Sequence, residues 1–395
     1  MKKKTVRDLD IAGKRVLLRA DFNVPFETAT ATITDDTRMR ATLPTIEYLL
    51  ARGARVVLCS HLGRPGGLRD SKLSLRPVAR RLAEMLGKPV TLLEDCIGPV
   101  VKEAVGKLGR GQAALLENLR FHASEEKNDP AFSAELASLG EVFVNDAFGA
   151  AHRAHSSTEG VAHHLPAVAG FLMEKELRFL GAVLERPEHP FYLVLGGAKV
   201  GDKVGVIQNL LDRVDGVLVG GGIANTFLKA QGLPVGASLY EEDKVAFART
   251  LLDQARARHI PFLMPVDVTI ADRFDAAASS RVVPVAEVPT DWRIMDIGPK
   301  SSELFRQALA DARLVLWNGP MGVYEFPRFA EGTRAVGHAI SAVKGTTIVG
   351  GGETAAAVHA LGLADRMSHV STGGGATLEF LEGRTLPGIA ALLDA

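Results

Sequence analysis

Five loops in the first half of this sequence bring cations to the ends of short apolar runs. RVLLRADFNVPF (15–26) closes the run Val16, Leu17, Leu18 with Arg19, Asp21 and Asn23 before Pro25 stops regular pairing. Arg38 stands in TDDTRMR, His61 and Arg64 in SHLGRPGG, Arg120 in ENLRFH, and His152, Arg153 and His155 in GAAHRAHSS. Any one of these reads best as a solvated surface charge. Five loops in a row do not, because gathered like charges repel unless an anion binds among them. A small polyanion such as a phosphorylated carboxylic acid would satisfy them through charge-assisted, often bidentate bonds. Arg19, Asp21 and Asn23 are expected to stay out of the core, since an unpaired buried charge is costly.

The second half carries glycines and lysines instead. LGGAKVGDKVGVIQNL (195–210) reads as a strand ending in Gly196 and Gly197, then a helix that begins with Lys199 and Lys203 one turn apart on one face. VGGGIANTFLK, VGGGETAAAV and STGGGATLEFL repeat the glycine run and place Gly221, Gly351, Gly352, Glu353, Thr354 and Gly375 at or near helix starts. Glycine lets a backbone approach phosphate, and a helix N-terminus offers free N–H groups. One run is weak evidence, because glycines often serve only strand–helix packing; four in one half make a phosphate site the better reading. None is GxxxxGKS/T, and none is GxGxxG followed by an acid about 20 residues later, so a P-loop and a dinucleotide site are disfavoured. WNGPMGVYEF (317–326) adds Asn318 and Glu325 as candidates for a ribose or base contact, with Trp317 read as core.

The elements that must position these residues are short apolar strands alternating with helical patterns. Strands are read at 15–19, 55–59, 90–94, 113–117 and 142–145, then at 191–196, 216–220, 261–265, 314–318, 346–350 and 369–373. A helix fits SLRPVARRLAEMLG (74–87), with Pro77 near its start and Gly87 at its end. This alternation implies α/β architecture, with parallel sheets covered by helices on both faces. In open sheets of that kind ligands bind beyond the carboxyl ends of the strands, where the polar residues above fall. The segment 171–190 reads as one helix closed by Pro187 and Pro190, and is the candidate joint between two doubly wound halves. The expected organisation is 1–170, a linking helix 171–190, 191–380, and a tail 381–395.

Composition narrows the function. The chain of 395 residues is long enough for two domains. Net charge is +0, so no global field gathers nucleic acid or anionic membrane, and neither is expected as a partner. Cys59 and Cys96 stand far apart without CxxC spacing, which fits a reducing, cytoplasmic setting. The start MKKKTVRDLD lacks the apolar run of a signal peptide, and no run is long enough to span a bilayer. His152 and His155, or His163 and His164, lack an HExxH-type frame, and Arg153 would repel a cation; metal binding there is disfavoured.

In order along the chain, RVLLRADFNVP, SHLGRP, LLENLRF, FVNDAFGAAHRAHSS, GGAKVGDK, WNGPMGVYE and STGGGATLEFLEG closely resemble the phosphoglycerate kinase family of glycolysis, in its bacterial form. The resemblance covers nearly the whole chain. It implies two Rossmann-like domains facing a cleft, a C-terminal tail (TLPGIAALLDA) returning to the first domain, and a monomer. The implied reaction is reversible transfer of the acyl phosphate of 1,3-bisphosphoglycerate to ADP, giving 3-phosphoglycerate and ATP, with domain closure and Mg2+ accompanying the nucleotide. By the same resemblance Asp21 and Asn23 meet the glycerate hydroxyl and carboxyl end. Arg38, His61, Arg64, Arg120 and Arg153 form the basic patch for substrate phosphate and the group in transfer. Lys199 and Lys203 hold the nucleotide phosphates, Lys203 following the moving phosphoryl group. Gly352 and Gly375 offer N–H groups to that group, so that Arg38, Lys203, Gly352 and Gly375 form the catalytic set. Gly221, Ile294, Met295, Asn318, Glu325, Gly351 and Thr354 complete the nucleotide site.

Two positions depart from the family pattern. The metal-binding Asp of GGGDT is here Glu353, which keeps the carboxylate but adds a methylene. In DWRIMDIG, Ile294 and Met295 stand where relatives often have a small residue before an apolar one, which predicts a tighter, more apolar base slot. Three other classes fit the sequence less well: a scaffold that binds nucleotide without turnover, opposed by the intact Arg and Lys set; an NAD-dependent dehydrogenase, opposed by the missing GxGxxG; and a nucleic-acid binder, opposed by zero net charge and the lack of interleaved aromatics.

Overall fold

The run Val16, Leu17, Leu18 becomes the middle of strand β1 (Arg15–Arg19), fully buried and paired in parallel on both sides. A computed structural model describes residues 2–27, 30 and 32–395. In it β1 joins β2 (Arg55–Cys59), β3 (Val90–Leu92), β4 (Ala113–Leu115), β5 (Val142–Asn145) and β6 (Ala167–Ala169) in a six-stranded sheet of order β3-β4-β2-β1-β5-β6. All pairs are parallel. Continuous apolar runs suit such strands, because helices cover both faces and no alternate residue meets water.

A second parallel sheet follows the same logic. It contains β7 (Phe191–Leu195), β8 (Gly216–Val219), β9 (Phe262–Leu263), β13 (Leu314–Asn318), β14 (Thr346–Gly350) and β15 (His369–Val370), in the order β9-β8-β7-β13-β14-β15. Between β9 and β13 lies a separate antiparallel sheet of order β11-β10-β12, made of β10 (Asp267–Ala271), β11 (Ser280–Pro284) and β12 (Arg293–Ile297). Trp317 is fully buried on β13, as expected, and its indole N–H donates to the Gly319 carbonyl at 2.8 Å.

The chain divides into two compact units. One holds the residues up to Arg178 together with Thr385–Ala395, and the other is Phe179–Arg384. The division falls inside the helix Phe171–Glu185. The C-terminal segment is tied into the first unit by the Lys4 N–H on the Leu393 carbonyl (2.8 Å) and the Gly388 N–H on the Ala151 carbonyl (2.9 Å). Asn145 Nδ2 also donates to the Gly388 carbonyl at 3.1 Å.

Register decides what each sheet presents. Arg19 pairs with Cys59 on one side and Asn145 on the other, so the residues after these three strands emerge on one edge. Chain order reverses between β1 and β5, and between β7 and β13 in the second sheet, which are the switch points where α/β sheets take ligands. In the second sheet Asn318 is level with Leu195 and Gly350, so the three glycine loops leave from one edge too.

Several expectations are corrected. The apolar alternation concealed β6, only three residues long, and the whole antiparallel sheet, whose β11 is largely exposed. The α-helix after β7 begins at Val204, after a single 3-10 turn Gly201–Lys203. Lys199 therefore sits on a loop rather than one helical turn from Lys203. The loop is held instead by the Gly197 N–H on the Pro320 carbonyl at 2.8 Å. Its neighbour Gly196 packs so closely that a Cβ there would lie 2.0 Å from the Pro320 carbonyl oxygen.

Candidate active site

On the first unit the cations gather around the ends of β1 and β2. The helix Thr37–Ala51 begins one residue before Arg38, and its first turn aims Arg38 Nη1 at Asp21 Oδ2 (3.2 Å) and at the Asn23 carbonyl (3.1 Å). Asn23 Oδ1 accepts the Gly63 N–H at 2.9 Å, and the Gly63 carbonyl accepts Arg120 Nη1 at 2.9 Å. Arg38, Asn23, Gly63 and Arg120 thus form one connected chain. Arg120 Nε also lies 3.2 Å from Glu126 Oε1, an ion pair without hydrogen-bond alignment. Arg153 donates through Nε to His152 at 3.2 Å. Arg153 and Arg64 have no ion pair among the described residues, and Arg64 is exposed on its loop without a bond to the cluster.

The expectation that Arg19, Asp21 and Asn23 avoid the core is overturned for the first two. Arg19 is 1% exposed and Asp21 6%. Burial is tolerated because each of the three guanidinium nitrogens of Arg19 is bonded: Nε to Ser157 Oγ (2.8 Å), Nη1 to the Ala20 carbonyl, and Nη2 to His61 Nδ1 (3.1 Å). His61 reads as a cation in the sequence, but its surroundings hold it neutral. Burial, and then the guanidinium groups of Arg19, Arg120, Arg38 and Arg153, push its imidazole well below the usual value. Because Arg19 donates to Nδ1, the ring hydrogen is on Nε2, and His61 acts toward an anion as a neutral donor. Burial and the same arginines, except Arg38, lower His155 to about 4.

On the second unit the glycine loops line two cavities. One, of about 690 Å³, is bounded by Lys199, Lys203, Asn318, Gly351, Gly352, Glu353, Thr354 and Gly375 among others. The other, about 250 Å³, is bounded by Gly221, Ile294, Met295 and Glu325, with Asn225, Leu239, Phe274 and Val323. Gly197, Ala198 and Glu353 line both, so the two are contiguous. The larger is glycine-walled and carries charges of both signs, Lys199, Lys203 and Arg384 with Asp202, Glu353, Glu379 and Glu382; the smaller is largely apolar, and the solvent-exposed Leu239 and Phe274 line it. Thr354 Oγ1 accepts the Gly319 N–H at 2.6 Å, which ties the helix Gly352–Ala360 to the loop after β13. Burial lowers the Lys203 ammonium, against the pull of Asp202 and Glu353. Asn318 Nδ2 and Asn225 Oδ1 are buried without a hydrogen-bond partner among the described residues. Such an atom costs about 1–3 kcal/mol, which a bound ligand or water can recover.

A family model for phosphoglycerate kinase matches residues 6–384. The chain belongs to the phosphoglycerate kinase family. Over 400 residues, and over the full length of both chains, it is 59% identical to the phosphoglycerate kinase of Chloroflexus aurantiacus. It is 56% identical over 394 residues to that of Pelotomaculum thermopropionicum, again at full length. The solved phosphoglycerate kinase of Coxiella burnetii superposes with a TM-score of 0.90 at 41% identity, covering 98% of each chain. That of Pyrococcus horikoshii gives 0.86 at 35%, also covering 98% of each. The fold is the two-domain α/β fold of phosphoglycerate kinase, and the function is that of this glycolytic phosphotransferase, with 3-phosphoglycerate and ADP or ATP as the substrates the family implies.

Of the two candidates for a ribose or base contact, Asn318 lines the larger cavity with the lysines, and Glu325 the apolar one. Sequence reasoning missed Glu125 and Ser157 behind the basic patch, and Asn225, Leu239 and Phe274 in the apolar cavity. Asn225 alone had a local signal, as a polar residue inside the glycine-led segment VGGGIANTFLK. The cluster with metal-ligand residue types found among the described residues is Asp95, Cys96 and His122. Within it His122 Nε2 is paired with Asp95 Oδ1 at 2.7 Å, and the Cys96 N–H donates to the same oxygen at 2.7 Å.

Proposed function

We propose that the basic cluster of the first unit binds the glycerate phosphates and that the two contiguous cavities of the second unit bind the nucleotide. The observation that carries this is where the basic side chains gather in each unit. Four arginines bear on His61 in one, and in the other Lys199 and Lys203 stand among the glycine loops that wall the larger cavity. In this reading Asp21 and Asn23 orient the glycerate end. Arg38, Arg120, Arg153 and Arg64 neutralise phosphate oxygens, and His61 adds a neutral N–H. Ile294 and Met295 close the base slot, Gly221, Gly351 and Thr354 shape the loops around the phosphates, and Glu325 lies at the ribose side.

The chemistry needs no general base. The attacking oxygen is a carboxylate in one direction and an ADP phosphate in the other, and both are ionised near neutral pH. The obstacle is repulsion between anions and competition from water. Fixed positive charge aimed at the equatorial oxygens, with donor and acceptor held in line, answers both. Arg38 from one unit, and Lys203 with the N–H groups at Gly352 and Gly375 from the other, supply that charge. Since donor and acceptor bind on different units, transfer requires closure that brings them together and excludes water.

Glu353 fits a hard divalent cation. It is an exposed carboxylate at the start of its helix, it lines both cavities, and it lies close enough to Lys203 to oppose the fall in that ammonium's pKa. Bound there with the nucleotide, Mg2+ would screen the phosphate charge. The monomer that the resemblance implies belongs to the same reading. A cytoplasmic setting is supported by two free, buried cysteines; in addition, no described helix is long and apolar enough to cross a membrane.

The test is ATP-dependent phosphorylation of 3-phosphoglycerate with and without Mg2+, on wild type and Glu353→Asp. Turnover that needs Mg2+, and a metal requirement that shifts in Glu353→Asp while turnover persists, is the expected result. No exchange of the terminal phosphoryl group in the wild type would refute the reading.

A further inference from the structure

Arg19 is among the largest fully buried side chains, and none of its hydrogen bonds goes to a carboxylate. Its counter-charge stands one residue further off. Ser157 Oγ accepts from Arg19 Nε and passes its own hydrogen to Glu125 Oε1, while the Ser157 N–H donates to Glu125 Oε2 at 3.0 Å. Glu125 is 0% exposed, and both its oxygens are thereby used. We infer that Glu125 is a positioning residue for the anion site: through Ser157 it holds Arg19 in the orientation that bonds His61 Nδ1, and so fixes which nitrogen of His61 offers a hydrogen to a phosphate. This rests on the reading of the basic cluster as the glycerate-phosphate site.

The direction of every bond in the relay is set. A guanidinium only donates, so Ser157 Oγ must accept from it, and the hydroxyl hydrogen must go to the carboxylate. His61 Nδ1 must then accept, and the hydrogen stays on Nε2. A hydroxyl between carboxylate and guanidinium also leaves the positive charge less spent than a direct pair would. The cluster thus stays attractive to an anion although a carboxylate lies buried behind it. Glu125 is faced by Arg19 and Arg120, by Cys59 and Cys96, and by His155, whose Nδ1 is 4.0 Å from Oε1. His61 is faced by Arg19, Arg120, Arg38 and Arg153. Burial raises the Glu125 carboxyl, while Arg19 and the two Ser157 bonds pull it back toward the ionised form that the relay needs.

The experiment uses the full chain with 15N-labelled histidine, in wild type, Glu125→Gln, Ser157→Ala and Ser157→Thr. In the wild type the His61 ring is expected as the pure Nε2–H form. Ser157→Ala should give a mixture of tautomers, and its KM for 3-phosphoglycerate should rise about tenfold with KM for ATP within twofold. Ser157→Thr, which keeps the hydroxyl, should restore both. Glu125→Gln should behave as Ser157→Ala if it folds; if it does not, the serine pair decides. An unchanged His61 tautomer in Ser157→Ala, or equal shifts in both KM values, would overturn the proposal. If the wild type did not phosphorylate 3-phosphoglycerate at all, the site reading would fail, and the tautomer measurement would still decide whether the relay exists.

Discussion

Arg38 Nη1 lies 3.2 Å from Asp21 Oδ2, so a helix and the loop after β1 are joined by one ion pair. Asp21 is 8% exposed at its side chain and Arg38 35%. All three hydrogen bonds of the Arg38 side chain use Nη1, leaving Nε and Nη2 for an anion. In the proposed site one residue would therefore both anchor the carboxylate assigned to the glycerate and face the phosphate.

Arg38→Ala should lower turnover roughly 10²-fold or more, the cost of losing one donor aimed at transition-state charge. It also leaves the Asp21 carboxylate buried without its partner. Arg38→Lys keeps the charge but not the fork, and should fall between. Steady-state kcat on the three proteins measures this; near-normal kcat in Arg38→Ala would remove Arg38 from the site.

Lys203 is half-buried at the start of its helix, and Lys199 is exposed on the loop before it. Lys203→Ala is expected to cut kcat roughly 10²-fold. Lys199→Ala should act on the KM for nucleotide more than on kcat. A variant pair with these effects reversed would exchange the two roles.

Acid should expose the cost of the histidines. His155 has its folded value lowered from 6.5 to about 4 by burial first and then by Arg120, Arg19 and Arg153. Between those values the unfolded chain binds a proton that the folded chain refuses. Its contribution is therefore complete above about pH 6.5 and is lost as pH falls toward 4. The size is about 3 kcal/mol. Melting temperatures of wild type and His155→Asn, compared at pH 7.5 and 4.5, should converge or cross at the lower pH; a constant difference would show that His155 does not titrate this way.

Two glycines should part structure from function. Gly319 has φ +102°, and a Cβ there would lie 2.0 Å from the Gly196 carbonyl oxygen. Gly319→Ala should destabilise the second unit by roughly 3 kcal/mol or more. A Cβ on Gly352 meets no heavy atom within 4 Å, yet Gly352 lines the larger cavity beside Lys199 and Lys203. Gly352→Ala should melt like the wild type and lose turnover, because the methyl takes space that a phosphate needs. Calorimetry and an assay on both variants check the contrast.

Sequence by itself determined the parallel strands and the places where chemistry collects. Val16, Leu17 and Leu18, or Leu314–Asn318, read as buried strands because a strand covered on both faces needs an unbroken apolar run. The cations and glycines at their ends were legible because they follow those runs directly. Tertiary structure decided what those groups are. Nothing local to RVLLRADF shows that Arg19 can be buried, since Ser157 lies 138 residues away and Glu125 is reached only through it. Nothing near SHLGRP shows that His61 is neutral, because Arg120 and Arg153, which help hold it so, arrive from loops that the fold folds back. A charge is local, but its counter-charge and its desolvation are not; protonation, and with it the role of each site residue, is settled only when distant segments meet.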